Sequence, residues 1–248
     1  MTTYLLIAAA ALAVGLFIGT VGVGGILLIP ALTYLGGLTV HTAAATALFT
    51  FLFTGVLGTV LFQRRGSIDW RITTPVCAGA VVFSVLGAWA ASRLEARPLA
   101  LVIAAIVVFA GAYILLPAAR RERYRDGRTP GERALLAGVG AVSGFGSGLS
   151  GAGGPLFSVP MMVLAGFVPL AAVGTSQVLQ IVAAAFGTAG NLAYGQIDFR
   201  VAAWITVFEL AGVVAGVRLA HAVSVDTLRR LAAVLCMVVG AFMLWRNL

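Results

Sequence analysis

Two glycine clusters are the chemically suggestive part of this sequence. Gly22-Val23-Gly24-Gly25 and Gly151-Ala152-Gly153-Gly154 each interrupt a long apolar run, and a proline follows each, at Pro30 and Pro160. Glycine tolerates positive φ and lets another backbone approach closely. A break at such a cluster frees backbone N–H groups, and the half-helix that follows turns its electropositive N-terminus toward the break. Such an end binds an anion without a buried arginine. The candidate substrate-binding glycines are therefore Gly22, Gly24, Gly25, Gly151, Gly153 and Gly154. Polar side chains would complete an oxyanion site. Ser143, Ser147 and Ser150 line the second cluster, Thr46 begins the second apolar run, and Thr175, Ser176, Gln177 and Gln180 hold the matching place later, followed by Asn191. Gln177 and Gln180 lie three apart, on one helical face. Amides there are costly to expose to lipid, so they face substrate or bridge helices.

Among the titratable residues, Glu209 lies in the middle of an apolar run, where a carboxylate is rare and usually functional. Proton coupling or gating is its expected role. Asp69 and Asp198 occur in a repeated Gly-x-Ile-Asp-aromatic-Arg motif at run boundaries. They read as helix N-caps, with Trp70 or Phe199 at the membrane interface and Arg71 or Arg200 snorkelling. His41 and His221 sit at run ends and suit the interface. Gly148-Leu149-Ser150-Gly151 spells GxSG, the nucleophile motif of rhomboid intramembrane proteases, which keeps a serine-protease alternative with Ser150 open. Cys77 and Cys236 lie in apolar runs without metal or redox spacing and read as core residues. No cofactor or metal is expected.

The elements that must position these residues are membrane helices. The chain has 248 residues, 61% of them hydrophobic and 10% charged. A soluble or disordered protein of this size is excluded, because it has no means to cover so much apolar surface. Apolar runs fall at roughly 4–37, 42–62, 72–92, 98–117, 134–166, 169–194, 201–220 and 227–245. The first and fifth are too long for one crossing: 34 residues as a helix would span about 51 Å, against a hydrocarbon core of about 30 Å. The glycine clusters divide these two runs, so broken helices or re-entrant hairpins are expected. The 16 basic residues are all arginine and lie mostly in short loops, where they set topology and face headgroups rather than nucleic acid. The N-terminal run lacks basic flanks and a clear cleavage signal and reads as a retained membrane segment.

A shift of 129 residues aligns the halves of the chain. Gly22, Gly24 and Gly25 fall on Gly151, Gly153 and Gly154, Thr46 on Thr175, and Gly58-Thr59 on Gly187-Thr188. Gly66, Ile68, Asp69 and Arg71 fall on Gly195, Ile197, Asp198 and Arg200. The expected fold is thus an all-α polytopic membrane protein of two pseudo-symmetric tandem repeats. Each has four apolar segments with a glycine-broken first, giving eight crossings, or more if the broken segments form hairpins. The repeats would be residues 1–117 and 134–248, joined by an arginine-rich linker at 118–133. Repeats of this kind mark secondary transporters with a site between them. If each long run crosses once, the halves are parallel and the arginines divide 11 to 5, with both termini on the basic side. If each turns back, the halves are inverted and the division is 12 to 4, with both termini outside. The charge bias alone does not choose.

The stretches Gly15–Leu32 and Gly144–Met162 resemble the paired signatures of the TauE/SafE sulfite exporter family, and the resemblance extends over nearly the whole chain. Val23 and Ala152 interrupt the family's glycine triplets. The resemblance implies a multi-pass inner-membrane transporter that exports sulfite or an organosulfonate such as sulfoacetate. Its expected partners are the small anion, protons and the bilayer, with a homo-oligomer as a further candidate. A passive anion channel is the alternative built on the same helix-end chemistry.

Overall fold

The computed structural model describes residues 2–21, 25–115, 125–194, 196–219 and 225–248. Gly22, Gly24 and His221 lie outside the described residues. Among the described residues ten α-helices follow one another: α1 (Thr2–Val21), α2 (Leu28–Tyr34), α3 (Val40–Arg64), α4 (Trp70–Arg93), α5 (Ala96–Leu115), α6 (Pro130–Ser150), α7 (Pro155–Ala165), α8 (Pro169–Tyr194), α9 (Phe199–Leu219) and α10 (Val225–Asn247). A short 3-10 turn, Gly25–Leu27, leads into α2. The only β-pairing among the described residues is an isolated bridge between Arg125 and Phe167.

Five helices within the described residues, in α3, α4, α5, α8 and α9, are long and apolar enough to cross a membrane. Their outward faces carry large apolar side chains such as Phe53, Val56, Val82, Phe83, Leu192 and Val207, all exposed. In water such a surface would be unstable; in lipid it is the normal exterior. The inward faces hold a core of Phe17, Ile29, Leu48, Phe51 and Ile103, with a second cluster around Val76, Leu136 and Leu179.

Local chemistry accounts for the helix boundaries. The Asp69 carboxylate accepts from the N–H of Arg71 at 2.9 Å, and Asp198 accepts from Arg200 and Val201, both at 3.0 Å. Both aspartates therefore cap helices as expected, with Trp70 and Phe199 about half exposed beside them. Thr129 and Glu132 form a capping box ahead of α6, with Pro130 in its first turn. Helices α8, α9 and α10 begin 129 residues after α3, α4 and α5 respectively.

Close packing sets the direction of the helices. The most extensive seams pair α4 with α6 and α1 with α9. Gly140, Gly144 and Gly148 of α6 lie against Val76, Ala80 and Ser84 of α4 in the same order, so these two helices run in one direction. Gly15 and Gly19 of α1 meet Glu209 and Val213 of α9 in the same parallel sense. Small residues let the backbones approach, as is usual where lipid supplies no hydrophobic drive.

Hydrogen bonds then gather the helix ends into two groups. Asn247 donates to the Tyr34 hydroxyl at 3.2 Å, Arg97 Nε to the Asn247 carbonyl at 2.7 Å, and Thr46 accepts from the N–H of Asp198 at 3.0 Å. The ring of His41 bonds the Leu94 carbonyl at 2.9 Å. These contacts define a first face, with the ends of α2, α4 and α10 and the starts of α3, α5 and α9. At the opposite face Thr73 and Thr175 share a hydroxyl bond of 2.9 Å, and the N–H of Arg125 donates to Gly166 at 2.9 Å.

Candidate functional site

Gly25 lies against the Phe51 ring, and Gly153 is beside the same ring. Gly154 packs against Leu179 and the backbone of Gln180. Phe51 is about halfway along α3, and Gln180 about halfway along α8. Both chain breaks therefore reach the middle of the helix bundle. From there α2 returns to the first face at Tyr34, and α7 returns to the opposite face at Gly166.

The second break is built from two left-handed glycines, Gly151 at φ 68° and Gly153 at φ 82°, a conformation that side-chain-bearing residues rarely adopt. Gly151 also lies directly on the Ala44 backbone. The N–H of Gly151 donates to Ser147 and that of Ala152 to the Ser150 hydroxyl. Among the described residues, the N–H groups of Gly153 and Gly154 make no backbone hydrogen bond. They lead into the N-terminus of α7, an 11-residue helix with Pro155 in its first turn. The helix dipole and these donors make this end suited to an anion.

Buried polar side chains surround the bundle centre. Gln180 Nε2 donates to the Phe51 carbonyl at 3.1 Å and to the Thr54 hydroxyl at 2.8 Å. Gln177 lies against Gly58, and neither end of its amide has a hydrogen-bond partner. The hydroxyls of Ser143 and Ser147 on α6 are also buried without a partner. Buried polar atoms are normally satisfied, so an accumulation of unsatisfied ones calls for an explanation.

Glu209 is halfway along α9, fully buried, with both carboxylate oxygens free of hydrogen bonds. The Thr50 hydroxyl faces it but donates to the Ala47 carbonyl at 2.8 Å. The backbone of Glu209 touches Gly15, so the residue sits in the seam between α1 and α9.

Not every residue singled out from the sequence is brought to the breaks. Thr46 caps the approach to α9 through Asp198, and Thr175 is bonded to Thr73, each toward an opposite face. Ser176 donates to the carbonyl of Val173 within its own helix, at 2.7 Å. Ser150 is fully buried and donates to the Gly146 carbonyl at 2.6 Å, so its hydroxyl is engaged by its own helix. Sequence reasoning missed Thr50, Thr54 and Phe51. The two threonines are spaced one turn apart on α3, a detectable signal; the phenylalanine carried none.

A cavity of about 180 Å³ approaches the centre from the first face. Thr39, His41, Thr42, Ser92, Asn191 and Gln196 give it polar walls, and it reaches Ala44 and Gly148 next to the second break.

The sequence profile of the sulfite exporter TauE/SafE family matches residues 7–243. The chain belongs to this family. Two relatives from Bacillus subtilis (strain 168) are described as probable membrane transporter proteins. YdhB is 28% identical over 212 residues, covering 82% of this chain and 85% of the relative. YunE is 25% identical over 213 residues, covering 75% and 78%. No solved structure matches. Membership and helix composition together make this TauE/SafE chain a multi-pass membrane transporter.

Proposed function

We propose that the protein is a secondary transporter that exports a small sulfur-containing anion, sulfite or an organosulfonate such as sulfoacetate. The observation that carries the anion part is the second break. At mid-bundle it presents unbonded backbone N–H groups at the start of α7, in a core that also holds the unpartnered Ser143, Ser147 and Gln177. Among the described residues no arginine is buried, and a helix end does not need one to hold an oxyanion. The name of the family supports sulfite and the outward direction.

In this reading the two halves are inverted repeats. Support comes from the parallel seams of α1 with α9 and α4 with α6, and from breaks that each send a short helix back toward its starting face. The arginines then divide 12 to 4, with Arg93, Arg97, Arg200 and Arg246 on the first face. The positive-inside bias makes the first face, with both termini, the outer one. The polar cavity is on that face and would serve as the exit. Glu209 supplies a proton-exchanging group in the seam between the halves, so that a proton moving with the anion offsets part of the charge crossing the potential.

The test is flux into and out of proteoliposomes with sulfite, sulfoacetate and thiosulfate, beside phosphate and chloride. Saturable, pH-gradient-dependent movement of a sulfur anion is expected. Movement of phosphate or chloride with no sulfur anion would defeat the substrate assignment, and conductive, gradient-indifferent flux would make the protein a channel.

A further inference from the structure

Gly25 and Gly153 do not face each other across open space, because the Phe51 ring lies between them. A Cβ added to Gly25 would lie 2.6 Å from Phe51 Cζ and 3.0 and 3.1 Å from its Cε2 and Cε1. A Cβ on Gly153 would lie 3.3 and 3.7 Å from Cδ2 and Cε2 of the same ring. Gly25 therefore lies over one face of the ring at Cζ, and Gly153 lies against its Cδ2–Cε2 side. Phe51 is only 1% exposed. Its backbone is held separately, by the Gln180 amide on the Phe51 carbonyl.

We propose that Phe51 is the specificity-determining plug of the transport pathway. Its ring fills the place between the breaks that the substrate occupies, and rotation of the side chain on a clamped backbone opens that place. This rests on the assignment of the breaks as the anion site. The Phe51 ring is sandwiched, with its face on Gly25 and its Cδ2–Cε2 side on Gly153, so both glycines leave it the space that a side chain would take. Rotated aside, the ring would still narrow that place, admitting an anion with a small substituent and excluding one with a bulky substituent. Removing the ring should admit a sulfonate whose own phenyl group replaces it. Gly25 is required because any side chain there meets the ring in its closed position.

The experiment compares wild type, Phe51→Ala, Phe51→Leu, Gly25→Ala and the double variants Gly25→Ala/Phe51→Ala and Gly25→Ala/Phe51→Leu in proteoliposomes. Sulfite and benzenesulfonate are the probes, and each protein is first checked for monodispersity and helical content. Gly25→Ala should lose sulfite flux, and the smaller residue at 51 should restore it in the double variant. Phe51→Ala should raise benzenesulfonate flux relative to sulfite by at least about tenfold, the order of discrimination one pocket contact supplies. Should Phe51→Ala fail to fold, the leucine pair still reads the rescue. The plug is overturned if Gly25→Ala is as active as wild type, if its defect is unchanged in the double variant, or if selectivity stays the same in the variants at 51. If wild type moves no sulfur anion at all, it is the substrate assignment that fails, and rescue can still be scored with whichever anion moves.

Discussion

Gln180 donates its side-chain amide to the carbonyl of Phe51, a residue 129 positions earlier, which is the offset that aligns the two halves. Counterparts under a two-fold relation touch each other only near the axis, so this bond marks where the axis would pass. It lies midway along both α3 and α8, the depth at which the two breaks return. The counterparts are chemically unlike: one residue supplies a ring, the other the clamp that holds the ring's backbone. Gln180→Leu removes the amide, leaving the Phe51 carbonyl and Thr54 without that donor. The Thr54 hydroxyl still donates to the Phe51 carbonyl at 3.4 Å, so neither group is orphaned, and a loss of about 0.5–1.5 kcal/mol, the net worth of a hydrogen bond, is expected. Thermal unfolding in detergent reads it, and an unchanged midpoint would show that the clamp contributes no stability.

Gly151 combines a φ of 68° with direct contact on the Ala44 backbone. An alanine there must enter the left-handed region, at roughly 1–2 kcal/mol, and displace α3 as well. Gly151→Ala should lower folded yield and transport together. Gly138 of the same hairpin is the control, because a Cβ there meets nothing within 4 Å and its backbone is helical. Gly138→Ala should leave transport intact and raise stability by about 0.5–1 kcal/mol. Equal behaviour of the two variants would show that the left-handed turn is not required.

Much of this arrangement could be read from residue types alone, because membrane helices leave few choices. Asp69 and Asp198 cap where the repeated motif places them, and the second overlong run breaks at Gly151 and Gly153. Helix directions were hidden, since divisions of 11 to 5 and 12 to 4 bias topology almost equally. The partners of Thr46 and Thr175 were hidden too. Both bonds join residues more than a hundred positions apart, and no local pattern announces them. Phe51 was invisible for a different reason: an apolar ring in an apolar run has no compositional contrast, and only the neighbouring glycines in space reveal its position.

Inversion of the halves makes a direct prediction about sidedness. Single cysteines at Thr3 and at Arg128, in a background with Cys77 and Cys236 replaced by alanine, should react with a membrane-impermeant maleimide from opposite sides of the membrane. Thr3 should label from outside in intact cells, and Arg128 only after permeabilisation. Labelling of both from one side would mean parallel halves and return the arginine division to 11 and 5.

Glu209 offers the sharpest separation between a coupling role and a structural one. The helices packed on its seam bring no opposite charge. Within α1 the only titratable side chain is Tyr4, and α3 carries His41 and Arg64 only at its ends. The charged groups of α9 itself, Arg200 and Arg218, are likewise terminal. Thr50 is the polar neighbour, and its hydroxyl is committed to Ala47. A carboxyl group in this position stays there at low cost only while it carries its proton, and releasing the proton requires the seam to open toward water. Glu209→Gln keeps the shape and fixes the neutral state. It should bind the anion and exchange it across the membrane when no pH gradient is applied, yet lose acceleration by a gradient. Flux of an organosulfonate, which stays ionised throughout, is measured from about pH 5.5 to 8, a window around neutrality. A wild-type profile that changes across this window and a flat one for the variant support coupling. Matching profiles would leave Glu209 with a packing role in the α1–α9 seam and move the search for the proton site elsewhere.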